Sequence, residues 1–475
     1  MRLAIILAIF GLTQLWAQYT IQNEFCDTTS CDYITDEIFA IWWDANWDLG
    51  SDAAQLAPVL TEIRNICLTQ LGMEDPPNPI DGFYYNVYIG NFDQDLFPDG
   101  WAVGQGTDSF GYPYLTLAIG AHLEPIYQYH EGFHIFQYNG NAPGFNYSGD
   151  SAWYIEATAN WFVSWVLPDE EMAFLEGAAI EANPQLPIWY DSWNAPPGDP
   201  ENWQRGVHPY AMNTLLYYLV ETEAITAFDL SNAFYSGTGL LPQEYLEQLI
   251  GVAELKSFFI NWAAHNVNDY DYMSPEQLER ARVELENYGD PLDINPVIAN
   301  IGATGTNGQW ISPIPVLAAR GWSYDVFKLE DIPPGTTAFY FRGNSTGSEG
   351  GDAVFRARVL SHSASNVEFY ELEQVSDTSG FLSIDIDSDS ELTHFIIAAV
   401  PNHFTGSQTY PYEIRIEPQF LQGDLNFDND VNILDIMQVL NYIFTNDYDL
   451  LMDINLDNAV NVLDIIMLIN LIVED

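Results

Sequence analysis

The sequence predicts a multidomain protein, with an α+β region over residues 18–298, an antiparallel β-sandwich over 299–420 and a small all-α module over 423–475. Three observations lead to this division. The first region mixes aromatic-rich strand patterns with helical stretches, the second consists of short alternating runs between turn residues, and the third contains an internal repeat. A chain of 475 residues is long enough for about three domains, each with its own core.

The composition is apolar enough to fold but strongly acidic. Hydrophobic residues make up 48% of the chain, which excludes a largely disordered protein. The 68 Asp and Glu residues against 12 Lys and Arg give a formal charge of −56. This balance argues against binding to nucleic acid or to an anionic lipid surface, since both require a basic face.

The N-terminus has the pattern of a secretory signal peptide over residues 1–17. Met1-Arg2 gives a short charged start, residues 3–12 are nearly all apolar, and the small residue Ala17 predicts cleavage before Gln18. No other stretch reaches the roughly 18 apolar residues that a membrane-spanning helix requires. The sequence therefore predicts a secreted, extracellular protein with no membrane span.

Three cysteines, Cys26, Cys31 and Cys67, lie near the N-terminus. In an oxidising compartment one disulfide is expected, and Cys26–Cys31 is the simplest pairing. One thiol is then left over, and no catalytic or metal-binding role is expected for these residues.

The α+β region alternates strand and helix patterns. β-branched and aromatic runs predict strands at 39–43, 84–89 and 115–119. Helices are predicted by length and pattern at Pro125–Tyr138, Ser151–Leu167 with Ser151 as its N-cap, Met212–Val220 and Pro275–Tyr288. In the sandwich region the alternating runs predict strands at 324–329, 338–342, 355–360, 395–400 and 412–416.

The C-terminal module repeats an acidic loop that begins at Asp424 and again at Asp453, an offset of 453 − 424 = 29 residues. Oxygen-bearing side chains fall at positions 1, 3, 5, 9 and 12 of each loop, the arrangement by which EF-hand loops bind calcium. Position 7 contributes only a backbone carbonyl, so alanine is tolerated there. The predicted calcium ligands are Asp424, Asn426, Asp428, Asp430, Asn432 and Asp435 in the first loop, and Asp453, Asn455, Asp457, Ala459, Asn461 and Asp464 in the second.

Three departures from the EF-hand define the module more closely. Position 6 is not glycine, position 12 is Asp rather than Glu, and an apolar helix only follows each loop. These features over residues 423–475 resemble the dockerin type I module. The resemblance implies two calcium ions and a cohesin-type partner, through which the protein would be tethered to a scaffold or cell surface. An acidic disordered tail is the alternative, against which the regular spacing of Ile, Leu and Val argues.

The segment His130-Glu131-Gly132-Phe133-His134 is an HExxH motif within a predicted helix that follows a strand. Residues four apart share one helix face, so both imidazoles can reach one metal ion, and the adjacent Glu131 can reach water bound to it. Gly132 argues weakly against a helix here, because glycine destabilises a helix interior by about 1 kcal/mol relative to alanine.

A third ligand is predicted on the next helix. Glu156 lies 156 − 134 = 22 residues after His134, and the glycine- and proline-rich connector 139–150 separates the two helices. This arrangement resembles the gluzincin metallopeptidases, such as thermolysin and the zinc aminopeptidases, whose fold is zincin-like. The resemblance implies that His130, His134 and Glu156 bind one zinc ion and that Glu131 is the general base. Asn160 occupies the place where thermolysin-like enzymes have an acid that supports a ligand.

Hydrolysis through zinc-activated water also requires a donor to the developing oxyanion. Gluzincins supply a Tyr or His from a later helix, and the segment at 206–212 opens the next helical stretch here. Tyr210 is the first choice and His208 the second, with ordinary packing or surface roles equally consistent with the sequence.

The predicted function is a secreted zinc metallopeptidase that hydrolyses protein or peptide substrates. The competing hypothesis is a non-catalytic extracellular surface or scaffold protein with a vestigial or structural zinc site. Glu131 favours the enzyme, because a purely structural site needs only the ligands. Zinc-dependent attack on a substrate other than a peptide is a third alternative.

Overall fold

The structure is a computed structural model, and it is of mixed α/β type with several antiparallel sheets. It forms two compact units, Met1–Asn141 and Ala142–Asp475. The described residues are 19–26, 29–90, 106–140, 151–168, 183–190, 208–235, 240–268, 270–274, 297–301, 308–313, 318–329, 332–347, 351–363, 366–388, 390–418, 423–426, 430–445, 452–455, 457 and 459–474. The predicted signal peptide and the predicted helix Pro275–Tyr288 lie outside them.

The first unit contains a five-stranded sheet of order β1-β2-β3-β5-β4. Its strands are β1 (Cys31–Asp36), β2 (Phe39–Asp44), β3 (Tyr85–Gly90), β4 (Gly106–Thr107) and β5 (Pro113–Ala118). The three central strands pair in parallel, whereas β1 and β4 pair antiparallel at the edges. The parallel pairing of β2 with β3 requires a crossover, which the helix α1 (Gly50–Thr69) supplies. The central strands confirm the predictions at 39–43, 84–89 and 115–119.

Two further helices complete this unit. They are α2 (Pro77–Ile80) and α3 (Pro125–Gln137), and a short 3₁₀ turn, Ala121–Leu123, precedes α3. The predicted disulfide Cys26–Cys31 is present. Cys67 is a free, buried thiol on α1, and burial raises its pKa well above the usual value. A thiol in that environment is unreactive, as expected for a packing residue.

The second unit begins with helices and continues into the sandwich. The helices are α4 (Ala152–Val166), α5 (His208–Ala211), α6 (Asn213–Glu221), α7 (Ala227–Asn232), α8 (Pro242–Ile250) and α9 (Val252–Val267). Ser151 precedes α4 as predicted, but it makes no side-chain capping bond. Its hydroxyl donates instead to Oε1 of Gln243 at 3.2 Å.

The strands of the second unit are β6 (Val297–Ile301), β7 (Trp310–Ile311), β8 (Ser323–Leu329), β9 (Gly335–Gly343), β10 (Ala353–Ser363), β11 (Val367–Glu371), β12 (Glu373–Ser376), β13 (Ser379–Ile386), β14 (Ser390–Pro401) and β15 (Tyr412–Pro418). One antiparallel sheet has the order β11-β10-β14 and another the order β12-β13-β9-β15-β7, while β6 and β8 pair in parallel. Side chains from both antiparallel sheets meet in one core, which includes Phe339, Phe355, Phe395 and Ile414. All five predicted strands are present.

A buried carboxyl group lies inside this core region. Asp325 on β8 is fully buried, and its Oδ2 accepts hydrogen bonds from the Ala319 N–H at 2.7 Å and the Tyr412 hydroxyl at 2.6 Å. Burial is the main cause that raises the pKa of Asp325 to about 8.

The helices of the second unit share contacts with the sandwich. The Trp322 indole stacks on Phe404 at 4.7 Å between ring centroids and meets Phe259 of α9 edge-on at 5.4 Å. Two polar contacts also join α9 to the strand region: Lys256 of α9 donates to Asn402 at 2.5 Å, and Arg358 of β10 donates to Asn261 of α9 at 2.9 Å.

The C-terminal repeat forms two helices, α10 (Ile433–Thr445) and α11 (Val462–Glu474). They enclose a small apolar core of Leu425, Val439, Met452, Ile454 and Leu468. Within the described ranges, no helix combines the length and apolar character needed to cross a bilayer.

Candidate metal centre

Four polar side chains between residues 130 and 137 of α3 are almost completely buried. The helix begins at Pro125, whose fixed φ and missing N–H suit the first helical turn. The exposed fractions are 7% for His130, 6% for Glu131, 1% for His134 and 0% for Gln137. Buried polar groups are costly unless they are bonded or bind a ligand, so this concentration on one helix makes the segment a candidate functional site.

The two histidines of the motif converge as their spacing predicts. The Nε2 atoms of His130 and His134 lie 3.1 Å apart, and the two rings are nearly perpendicular. Two imidazole nitrogens this close on one face of a helix are placed so that both could bind a single ion.

The other nitrogen of His134 is also engaged. Its Nδ1 lies 2.5 Å from Oε1 of Gln137, one turn further along α3. An amide oxygen only accepts hydrogen bonds, so Nδ1 carries the proton and Nε2 retains its lone pair. The sequence reasoning missed Gln137, although its i+3 spacing from His134 was the signal that places both side chains on one face.

Gly132 marks the close approach of α3 to α1. It faces the buried side chain of Ile63, and no larger residue fits there without movement. The glycine that counted against a helix in the sequence thus lies where α3 and α1 approach closely, and a larger residue there would require Ile63 to move.

Glu156 lies on α4, where it is buried. One ligand atom from each of His130, His134 and Glu156 lies within 4.8 Å of the others. In the part of the chain that the structure describes, this is the only such group of three or more His, Cys, Asp or Glu residues. Two imidazole nitrogens and one carboxylate oxygen could hold a transition-metal ion, and they differ from the all-oxygen donor set that calcium takes. Asn160 is buried one turn further along α4.

The two predicted oxyanion donors lie on the short helix α5. His208 is buried, and its Nε2 lies 3.0 Å from the carbonyl oxygen of Pro187. Desolvation lowers the pKa of His208 to about 4, so at neutral pH it is an uncharged donor to that carbonyl. Tyr210 is half-buried two residues later. His208 thus has a packing role that the sequence left open.

The predicted calcium loops carry the same hydrogen bonds at equivalent positions. Asn432 Oδ1 accepts from the Leu434 N–H at 2.8 Å, and Asp435 Oδ2 accepts from the Asn432 N–H at 2.8 Å. In the second loop Asn461 and Asp464 repeat both bonds at 2.9 and 2.8 Å. In each loop the asparagine side chain caps the second N–H of the helix, and the aspartate three residues later caps the N–H of the asparagine, a variant of the capping box at the starts of α10 and α11.

Four of the loop carboxylates are buried, namely Asp424, Asp435, Asp453 and Asp464. Loop carboxylates also accept bonds from loop N–H groups: the buried Asp453 accepts through Oδ1 from the Asp457 N–H at 3.0 Å, and the exposed Asp457 accepts through Oδ1 from the Ala459 N–H at 3.0 Å. Asp428 lies outside the described residues. The described loop carboxylates form no group of three within 4.8 Å, so the two calcium sites stay predictions.

Comparisons with known proteins assign no family. No family model matches the chain, and no curated protein matches it. Among solved structures, the pre-peptidase C-terminal domain of a collagenase from Bacillus anthracis is 12% identical, with coverage of 26% of this chain and 97% of that chain and a TM-score of 0.17. A family GH115 4-O-methyl-alpha-glucuronidase with specificity for decorated arabinogalactans is 9% identical. The match covers 62% of this chain and 39% of that chain, with a TM-score of 0.16. TM-scores this low carry no argument about fold or function.

Proposed function

We propose that this protein is a secreted zinc-dependent peptidase of the gluzincin type. The observation that supports the proposal is the buried group of His130, His134 and Glu156, whose ligand atoms lie within 4.8 Å of one another. Glu131, adjacent to the first ligand and buried on the same helix, adds the base that hydrolysis requires.

The donor set fits a zinc ion. His130, His134 and Glu156 would hold the ion through two neutral imidazoles and one carboxylate, and this donor set would give a net charge of +1. When bound there, zinc supplies Lewis-acid polarisation of a water molecule and of the substrate carbonyl. Glu131 accepts the proton of the attacking water and passes it to the leaving amine. Tyr210 donates a hydrogen bond to the developing oxyanion.

The test combines metal analysis with a broad casein and peptide-library assay on the purified full chain. We expect about one zinc per chain in the wild type and in Glu131→Gln, with hydrolysis lost in the variant because an amide cannot accept the proton. His134→Ala should lose both zinc and activity. His265→Ala is the matched control, because His265 bonds to Asp271 and belongs to no metal group of the described residues.

The same experiment separates the proposal from its alternatives. Glu131→Gln activity within tenfold of the wild type would contradict the general-base role. Zinc without hydrolysis of any peptide in the wild type would favour a non-catalytic surface protein with a structural metal, or a substrate of another class. A His134→Ala variant that retains zinc would show that the site is misassigned.

We further propose that residues 423–475 form a dockerin-like module that binds two calcium ions and a cohesin-type partner. The duplicated loops and the equivalent capping boxes of Asn432 with Asp435 and Asn461 with Asp464 support this proposal. Binding of the full chain to a panel of cohesin domains, with and without chelator, tests it. If the full chain binds no cohesin domain of the panel in the presence of calcium, the proposal of a cohesin-type partner is wrong.

A further inference from the structure

The bond between His134 and Gln137 has a consequence for the metal centre proposed above. Gln137 is fully buried at the C-terminal end of α3, and its Oε1 lies 2.5 Å from Nδ1 of His134. Its burial excludes water as a competing partner on that side. The bond therefore fixes both the ring orientation and the tautomer of His134.

We infer that Gln137 is a positioning residue for the metal ion, acting through His134. With Nδ1 protonated, the lone pair of His134 lies on Nε2, the atom that lies 3.1 Å from Nε2 of His130. The ligand pair is thus set for coordination before a metal arrives. The inference rests on the proposed metal site but not on the reaction that the site performs.

Because Gln137 is an amide and not a carboxylate, it affects the charge of the site differently from an acidic residue. A carboxylate in this place would add a negative charge and make the imidazole a more basic ligand. The neutral Gln137 orients the ring while leaving the charge of the site unchanged. We therefore expect Gln137→Glu to bind zinc at least as tightly as the wild type, whereas a purely packing role predicts weaker binding, because Glu would bury a charge.

The test measures zinc affinity of the full chain by competition with a chromophoric chelator. Gln137→Met preserves length and removes the acceptor, so its dissociation constant for zinc should rise by about 10- to 100-fold. Gln128→Met is the matched control, because Gln128 is a buried residue of the same helix whose Nε2 donates to the His122 carbonyl at 2.6 Å. Its zinc affinity should stay within threefold of the wild type.

Cobalt(II) absorption provides a second readout, since the visible spectrum reports the geometry of the ligands. We expect an altered spectrum in Gln137→Met and a wild-type spectrum in Gln128→Met. A Gln137→Met variant with wild-type zinc affinity would overturn the inference, and so would equal losses in both methionine variants. If Gln137→Met does not fold, weaker zinc binding by Gln137→Glu than by the wild type is sufficient by itself to overturn the inference.

These outcomes are separate from those that test the peptidase. If the wild type binds zinc but cleaves no peptide, the proposed function fails and the role of Gln137 stands. If the wild type cleaves peptides and Gln137→Met binds zinc normally, the role of Gln137 fails and the function stands.

Discussion

A Cβ atom placed on Gly132 would lie 2.6 Å from Cδ1 of Ile63, closer than real side chains approach. The contact joins the centre of the HExxH motif to the buried face of α1. It explains why the motif contains glycine in the middle of a helix, where alanine would otherwise be favoured by about 1 kcal/mol.

The first prediction concerns whether Gly132→Ala raises or lowers the free energy of unfolding. In the wild-type background we expect it to destabilise the protein, because overpacking a core costs about 1–3 kcal/mol and outweighs the gain in helix propensity. In an Ile63→Val background the clashing methyl is absent, and Gly132→Ala should stabilise the protein by about 1 kcal/mol. Urea unfolding of the four proteins measures this cycle. Additive effects would show that Ile63 does not limit the space at Gly132.

The second prediction follows from Asp325. Its pKa is raised to about 8 in the folded protein, so the folded state holds a proton that the unfolded chain loses near pH 4. The free energy of unfolding therefore falls as pH rises from about 4 to about 8, by at most about 1.4 kcal/mol per pH unit. Asp325→Asn keeps an oxygen that accepts bonds from Ala319 and Tyr412, and it cannot ionise. The fall in the free energy of unfolding with rising pH should therefore disappear in this variant.

Urea unfolding of wild type and Asp325→Asn at several pH values between 4.5 and 7.5 checks the second prediction. The stability advantage of the variant should grow with pH. Asp385→Asn, at an exposed position of β13, is the control and should show a constant difference. An advantage of Asp325→Asn that does not change with pH would refute the role of burial.

The third prediction is that residues 423–475 fold only with calcium. The buried carboxylates of Asp424, Asp435, Asp453 and Asp464 repel one another unless a cation neutralises them. The small core around Val439 and Leu468 cannot offset that repulsion alone, so metal binding should appear as folding free energy. Circular dichroism of the isolated segment, with and without chelator, is the measurement. A helical spectrum that chelator leaves unchanged would show that the capping boxes suffice.

The fourth prediction concerns Tyr210. If its hydroxyl stabilises the oxyanion, Tyr210→Phe should lower kcat by about 100-fold or more and leave KM and zinc content nearly unchanged. His208→Gln serves as a contrast, since its bond to the Pro187 carbonyl indicates a structural role that affects stability first. Unchanged kcat in Tyr210→Phe would remove this residue from the mechanism.

Local patterns in the sequence were sufficient to predict most elements and the first two residues of the proposed metal centre. The strand around Ile41, the helix around His130 and the helices after both acidic loops depend on periodicity and end signals, which lie within a few residues of each other. The Cys26–Cys31 disulfide was also predictable, because only five positions separate the two residues.

Contacts between distant segments could not be predicted in this way. The role of Gly132 depends on where α1 places Ile63, and the role of Ser151 changed because Gln243 lies beside it. Gln137 was overlooked for a different reason. A glutamine at the end of a helix is usually exposed, and only burial beside His134 reveals its bond.

The contacts of Trp322 with Phe404 and Phe259 affect how this chain can be rearranged between genes. A chain that ended before residue 299 would leave Phe259 and Asn261 of α9 facing water, without the strands that now cover them. A gene fragment that encoded the helices without these strands would therefore give a chain with an uncovered apolar face. The two C-terminal helices have a core of their own, which includes Val439 and Leu468, so those apolar side chains would stay covered if the module were joined to another protein.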